Sequence, residues 1–148
     1  MLDVEFQDAA AWRGADLGAN TGRFQLPAAA LDEIIAMARK LAASPVPLHA
    51  LKPAHFDLPA TTAFMAEVNE TLTSGIGFAL IDRLPLEDIG EAGARAAHWL
   101  ICSMVERPVA QNFRGDLIYD VTDTGRPPGN GVRPDKTNAE QNFHTDNS

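Results

Sequence analysis

Three stretches of the chain repeat apolar residues at the spacing of an α-helix, with charged residues between them. The first stretch spans residues 27–43, and its predicted inward face carries Leu31, Ile34, Ile35, Ala38 and Leu41. Its predicted outer face carries Asp32, Glu33, Arg39 and Lys40. Pro27 suits a first helical turn, and Pro45 cannot continue the hydrogen-bond ladder. The pattern therefore predicts a helix over residues 27–43.

Two more helices are predicted downstream from the same periodicity. Residues 60–73 would turn inward Phe64, Met65, Val68 and Leu72. In the helix over residues 87–106 the predicted inward side chains are Ile89, Ala96, Trp99, Leu100 and Met104. Pro108 would end this helix.

Strand signals occupy most of the remaining chain. The apolar runs 75–82 and 115–121 predict strands, and residues 1–26 read as short strands and turns in which Trp12 and Phe24 anchor the segment. Residues 122–138 form a long loop rich in Gly, Pro, Asp and Arg, which fits a lid or substrate loop and fits plain disorder equally well. Residues 139–146 return to an extended segment. The order of elements predicts an α+β chain.

Composition narrows the class of protein. With 148 residues, 45% of them apolar, the chain can form one domain with a core. Its net charge of −8 and scattered basic residues argue against nucleic-acid binding. The acidic N-terminus and the lack of a run of roughly 20 apolar residues predict a soluble, cytoplasmic protein without a membrane partner. The single cysteine, Cys102, is predicted to be a small buried residue inside a helix. Oligomeric state stays open.

The most informative residues are His144 and Asp146. Two residues apart in an extended segment, an imidazole and a carboxylate project from the same face and can grip one metal ion. One carboxylate and two imidazoles on one side of an octahedron is how non-haem Fe(II) oxygenases bind metal. The ordinary alternative is a turn cap at Asp146 and a solvated histidine at 144. Phe143 adds an apolar wall beside the pair.

Three amides are candidate substrate contacts. Asn142 shares the face of His144 on a regular strand, although it also fits a plain strand-edge amide. Gln111 and Asn112, in the turn before residues 115–121, are weaker candidates.

Four segments together resemble the taurine dioxygenase superfamily (TauD/TfdA type) of Fe(II)- and 2-oxoglutarate-dependent dioxygenases. They are residues 75–78 (Gly-Ile-Gly-Phe), 106–109 (Glu-Arg-Pro-Val), 111–121 (Gln-Asn-Phe-Arg-Gly-Asp-Leu-Ile-Tyr-Asp-Val) and 137–148 (Thr-Asn-Ala-Glu-Gln-Asn-Phe-His-Thr-Asp-Asn-Ser). The resemblance covers residues 60–148, and its most specific part is Phe-His-Thr-Asp. The resemblance does not identify the substrate.

The resemblance implies an oxidoreductase that hydroxylates a small-molecule substrate with Fe(II) and the co-substrate 2-oxoglutarate. His144 and Asp146 would be the first two iron ligands and the catalytic centre. The implied fold is a double-stranded β-helix (jelly-roll-like, clavaminate-synthase-like), of which residues 1–148 would supply the N-terminal helical flank and first strands of a single domain.

The same resemblance places the second histidine ligand and the arginine that binds 2-oxoglutarate further along the chain. Neither position occurs in these 148 residues, and His49, His55 and His98 do not match the third ligand. We therefore expect a truncated oxygenase domain that is inactive alone. A non-catalytic binding or interaction module derived from that fold is the alternative, and a zinc hydrolase using the same pair ranks last.

Overall fold

The computed structural model describes residues 8–127, 129, 131–132 and 136–140, and the chain divides into two compact units, Met1–Pro108 and Val109–Ser148. The first unit contains three helices: α1 (Ala28–Ala43), α2 (Pro59–Thr73) and α3 (Leu86–Val105). Each end lies within one residue of its predicted position, so the three helix predictions are confirmed. Helix α1 ends at Ala43, with Ser44 as its C-cap just before Pro45, as the sequence predicted.

The three helices pack against one another around an apolar core in the first unit. The buried apolar side chains on the helices are Ala30, Ile34, Met37, Ala38, Phe64, Met65, Val68, Ala96, Ala97, Trp99, Leu100 and Ile101. Leu51 and Leu58 join them from the segment between α1 and α2. The indole Nε1 of Trp99 donates a hydrogen bond of 3.1 Å to the carbonyl oxygen of Leu51, which satisfies the one polar atom of this buried side chain.

Two glycines shape α3. At Gly90 the backbone takes φ 62° and ψ 179°, which breaks the helical path after its first turn and which a residue with a Cβ rarely adopts. Gly93 is buried, and a Cβ placed there would lie 2.9 Å from the Cβ atoms of both Ala38 and Ile89. Helices α1 and α3 therefore approach each other closely at Gly93.

A side chain of α1 accepts hydrogen bonds from the first backbone amides of α2. No side chain at the N-cap position, Leu58, satisfies the first amides, but the Glu33 carboxylate accepts hydrogen bonds of 2.8 Å from the backbone N–H groups of Ala60 and Thr61. The Thr61 hydroxyl, which is 1% exposed, donates a third at 2.7 Å. Glu33 was expected on the outer face of α1; it is instead partly buried because α2 starts beside it.

These contacts perturb the titration of Glu33. Partial burial raises its pKa, whereas the bonds from the Thr61 and Ala60 amides and the Thr61 hydroxyl lower it, and the net result is a pKa below the ordinary value. The carboxylate form is thus the one that holds α1 and α2 together.

Two short parallel strands, β1 (Arg23–Phe24) and β2 (Leu80–Ile81), pair beside the helices. The Leu80 amide donates to the Gly22 carbonyl at 2.7 Å, and the Asp82 amide donates to the Phe24 carbonyl at 2.8 Å. The predicted strand over residues 75–82 lies in the right place but is shorter, because Gly77 (φ 79°) turns the chain back and donates to the Thr71 carbonyl.

Both predicted anchors of the N-terminal segment are confirmed. Trp12 donates its indole N–H to the Ile76 carbonyl at 2.8 Å and meets the Phe78 ring edge-on at 5.2 Å. Phe24 meets the Phe64 ring of α2 edge-on at 6.1 Å. These aromatic contacts attach β1 and its preceding turn to the body of the unit.

The described part of the second unit has neither helices nor strands; it contains one isolated antiparallel bridge, Gly129 to Val132. The predicted strand over residues 115–121 is wrong, since these residues form bends and irregular backbone. A strand needs a partner to complete its hydrogen bonds, and the described residues of this unit supply none at that position.

Candidate functional site

The predicted iron ligands His144 and Asp146, and the predicted contact Asn142, lie outside the described residues. The structure therefore describes what leads to the motif and not the motif itself. Of the predicted site residues, Gln111 and Asn112 can be placed, together with the described part of the loop over residues 122–138.

Gln111 and Asn112 lie in a tight turn formed by residues 111–116. The Gln111 amide donates to the Asp116 carbonyl at 2.7 Å, which joins the two ends of the turn. The Asn112 side-chain oxygen accepts the amide N–H groups of Arg114 and Asp116 at 2.9 and 3.2 Å, and its NH₂ group donates to the Asp116 carboxylate at 2.7 Å. Gly115, with φ 82°, completes the reversal at a position that favours glycine.

These hydrogen bonds explain the structural role of the Gln111 and Asn112 side chains. Asn112 uses both ends of its side chain to fix the turn, and Gln111 donates its NH₂ group to the Val109 carbonyl at 3.0 Å. The Arg114 guanidinium lies 3.5 Å from the Asp116 carboxylate and 5.8 Å from the centre of the Phe113 ring. Both amides thus have a structural explanation, and their role as substrate contacts stays a prediction.

A cluster around Lys136 closes the base of the long loop that precedes the predicted motif. The Lys136 ammonium lies 4.3 Å from the centre of the Tyr119 ring and donates to the Asp120 carbonyl at 3.0 Å. The Lys136 carbonyl accepts the Thr124 amide at 3.0 Å and the Thr124 hydroxyl at 2.9 Å.

The contacts among Tyr119, Asp120, Thr124 and Lys136 join the two ends of the loop, and we call them the neck of the loop. The sequence did not predict this neck. Sixteen residues separate Asp120 from Lys136, yet the two are joined by a hydrogen bond. The signal that could have found it is a lysine twelve residues after a threonine across a Gly- and Pro-rich loop, which is too weak to stand out in a sequence. The neck restrains the chain shortly before the predicted ligands.

The remaining histidines lie in the first unit. His49 and His55 occupy short 3₁₀ turns (Leu48–Ala50 and Pro53–His55), and His98 is exposed on α3. In the described ranges, no group of three or more His, Cys, Asp or Glu side chains could hold a metal ion.

The prediction for Cys102 is wrong in one respect. The residue lies in α3 but is exposed, since it belongs to the face of the helix that carries His98. Its Sγ atom lies 3.8 Å from both ring nitrogens of His98. Partial burial of the thiol raises the pKa of Cys102, which keeps it protonated and weakens it as a nucleophile.

Comparison with known proteins assigns no family, because no family model matches the chain and no curated protein matches it. Across the described stretches of the chain, no helix combines the length and apolarity that crossing a membrane requires.

Proposed function

We propose that this chain belongs to an Fe(II)- and 2-oxoglutarate-dependent oxygenase that hydroxylates a small-molecule substrate, with His144 and Asp146 as two of its three iron ligands. The observation that carries the proposal is the run Phe143-His144-Thr145-Asp146, which follows the other three family-like segments in the family's order. The proposed fold is the helical flank and first strands of a double-stranded β-helix.

The side chains of His144 and Asp146 are of types that bind ferrous iron. A neutral imidazole nitrogen and a carboxylate oxygen are ligands that Fe(II) accepts, and an octahedral ion held on one face keeps positions for a chelating oxoacid and dioxygen. When bound, iron and 2-oxoglutarate would supply the oxidising chemistry. The chain's own task would be to hold the ion through His144 and Asp146 and to exclude water from the substrate. A third ligand and a residue for 2-oxoglutarate must come from elsewhere.

Two features of the described residues support the proposal. The three helices form a packed body in the first unit, as expected of a helical flank. The second unit carries a loop whose base is closed by Lys136, eight residues before His144. A loop restrained at this point would limit the positions available to the ligand pair, which lowers the entropic cost of assembling a metal site.

The first test is the nucleotide sequence that follows the codon for Ser148. The proposal expects a strand-rich stretch with a histidine and an arginine in the same frame. A polypeptide that includes this stretch should form succinate from 2-oxoglutarate when Fe(II) is present, while the 148-residue chain alone should show no turnover.

Single substitutions decide whether the proposed ligands act in that polypeptide. His144→Ala and Asp146→Ala should each reduce succinate formation by roughly a hundredfold or more, because loss of a ligand weakens the metal site. His98→Ala is the matched control, since His98 is an exposed histidine on α3, and its activity should equal that of the unsubstituted protein. Full activity of the His144→Ala protein would refute the assignment.

The alternative, a non-catalytic interaction module, is favoured by one observation. Leu80, in the two-stranded sheet, is a large apolar side chain that is 52% exposed. A module predicts a monodisperse, folded 148-residue chain whose behaviour in size-exclusion chromatography is unchanged by Fe(II). Aggregation or proteolytic sensitivity would favour an incomplete enzyme.

A further inference from the structure

A polar cleft of about 630 Å³ lies beside the two-stranded sheet in the first unit. Its lining is formed by Asn20, Arg23, Phe24, Gln25, Leu80, Ile81, Asp82 and Arg83. The volume lies within the range of small-molecule sites in proteins. A further cavity, of about 440 Å³ between α1 and α3, is lined almost entirely by apolar side chains. The chemistry of the two cavities is therefore different.

The register of the sheet explains why polar groups gather in this cleft. Arg23 pairs with Leu80 and Phe24 pairs with Ile81. Alternation along each strand turns Phe24 towards Phe64 of α2 and leaves Arg23 and Leu80 on the outer face. Gln25 and Asp82, one step further along, return to that same outer face and are exposed. Arg83, the next residue after Asp82, is also exposed and lines the cleft.

The carboxyl ends of the two parallel strands meet at one edge, which is where ligands bind in open parallel sheets. Gln25 follows β1, and Asp82 and Arg83 follow β2, so all three lie at this edge. Residues that follow two different strands therefore bring an amide, a carboxylate and a guanidinium to the lining of the cleft.

Arg23 is held in place before any ligand arrives. Its Nε atom donates to the Ala19 carbonyl at 3.1 Å, and its own amide closes a turn by donating to the Asn20 carbonyl at 3.1 Å. An arginine restrained in this way loses less conformational entropy when it binds an anion.

Neither arginine of the cleft is neutralised by a neighbouring acid. Among the residues that the structure describes, no carboxylate lies within ion-pair distance of Arg23 or Arg83, although Asp82 lines the same cleft. With two arginines and one aspartate, the lining carries more positive than negative charge, in a chain whose net charge is −8.

We propose that this cleft binds a small organic anion, with Arg23 and Arg83 as the cationic contacts, Asn20 and Gln25 as amide donors, and Leu80 as an apolar wall for the carbon skeleton. The ligand chemistry is a carboxylate or a phosphate ester, because both accept the paired N–H groups of a guanidinium. The net charge of −8 disfavours a nucleic acid, and the two guanidinium groups disfavour a metal cation. This site lies beyond the proposed iron chemistry and does not depend on it.

A metal-free titration of the 148-residue chain tests the proposal. Succinate and inorganic phosphate are the two probes, chloride at equal ionic strength is the control, and binding is followed by amide chemical shifts in ¹⁵N-labelled protein. We expect saturable shifts at Gln25, Asp82 and Arg83. Saturation by succinate alone assigns the site to carboxylates, and saturation by phosphate alone assigns it to phosphate esters.

Substitutions separate binding in the cleft from general attraction to surface charge. Arg83→Met should weaken the affinity about tenfold or more, because a charge-assisted hydrogen bond is lost. Its side chain makes no described hydrogen bond, so the fold should persist. Asp82→Asn should strengthen binding, because it removes a like charge while keeping the oxygen that accepts the Arg83 amide. Arg39→Met, an exposed arginine on α1 outside the cleft, is the matched control and should bind as the unsubstituted chain does.

Three outcomes would overturn the proposal: no saturable shift with either probe, equal affinities for the Arg83→Met and Arg39→Met proteins, or shifts centred on residues away from the cleft. A role of Arg23 and Arg83 in folding alone predicts no gain of affinity in the Asp82→Asn protein.

Discussion

The two units of this chain are stabilised in different ways. In Met1–Pro108, three helices bury apolar side chains against one another, and every buried residue among those described belongs to this unit. In Val109–Ser148, described residues such as Phe113, 96% exposed, and Val121, 69% exposed, leave large apolar groups in contact with solvent. None of the described residues of this unit is buried, and hydrogen bonds within the turn 111–116 and around Lys136 stabilise its local structure instead.

The difference has a physical consequence. Burial of apolar surface is the dominant favourable term in folding, whereas a single exposed hydrogen bond contributes little net free energy. The first unit should therefore resist substitution of polar surface residues and respond strongly to loss of core volume. The second unit should respond locally to loss of single polar contacts, with little effect on the first.

The largest expected effect comes from the core of the first unit. Leu100 is 2% exposed on α3, so Leu100→Ala should lower the free energy of unfolding by about 2–5 kcal/mol, through lost transfer energy and the cavity that remains. Phe113→Ala, at a more exposed and larger side chain in the second unit, should change it by less than about 0.5 kcal/mol. Urea unfolding followed by circular dichroism compares them; equal losses would contradict the contrast between the units.

A smaller effect is expected at the junction of α1 and α2. Glu33→Ala removes the acceptor of three hydrogen bonds at the start of α2 and should cost about 1–2 kcal/mol, the range of helix-capping groups. Asp32→Ala removes an exposed carboxylate from the same helix and should cost much less. Because the pKa of Glu33 is lowered on folding, its contribution is fully present above its ordinary value of 4.5.

The same contribution should disappear as the pH falls through the lowered pKa of folded Glu33, below 4.5. Unfolding measured over this pH window should therefore show a steeper loss of stability in the unsubstituted protein than in the Glu33→Ala protein. Parallel pH profiles for the two proteins would show that Glu33 does not couple α1 to α2.

The smallest effect on global stability is expected at the neck of the loop in the second unit. Lys136→Met removes the ammonium from the Tyr119 ring and from the Asp120 carbonyl, interactions worth roughly 1 kcal/mol at a surface. Amide hydrogen exchange at Thr124 should accelerate, while α1, α2 and α3 keep their protection. Arg126→Met, an exposed cation in the same loop, is the control. Unchanged exchange at Thr124 would mean that the neck does not depend on Lys136.

The helices show how much of the fold could be predicted from the sequence. Apolar spacing placed α1, α2 and α3 within a residue at each end, and the side chains of Ile34, Phe64 and Leu100 are buried as predicted. The predicted environments of two side chains were wrong, one because a distant segment lies beside it and the other because of the face of its own helix on which it lies. Glu33 binds the start of α2 instead of facing solvent, and Cys102 is exposed although its helix is packed.

For the candidate site, too, some features could be predicted from the sequence and others are known only from the structure. The residue types at 144 and 146 suggest iron ligation because ligand chemistry belongs to the side chain itself, and Asn112 was singled out as a polar residue in a turn. The structure adds that both ends of the Asn112 amide bind within its own turn and that Lys136 closes the loop before the motif. The Lys136 contact joins positions that are sixteen apart, so its sequence signature is weak. The Asn112 contacts are local, to residues two and four positions along, and belong to a turn that the sequence indicated.

The sequence by itself determined the three helices and most of the residues that face their common core, since a helix completes its hydrogen bonds within its own segment and shows its buried face as a local period. Only the tertiary structure decided the strands and the cleft. Residues 115–121 carry a strand pattern without a strand, whereas Arg23 and Leu80 pair across more than fifty positions and bring Arg83 to the same surface. Strand pairing completes its hydrogen bonds between distant segments, so its outcome depends on where packing brings them together.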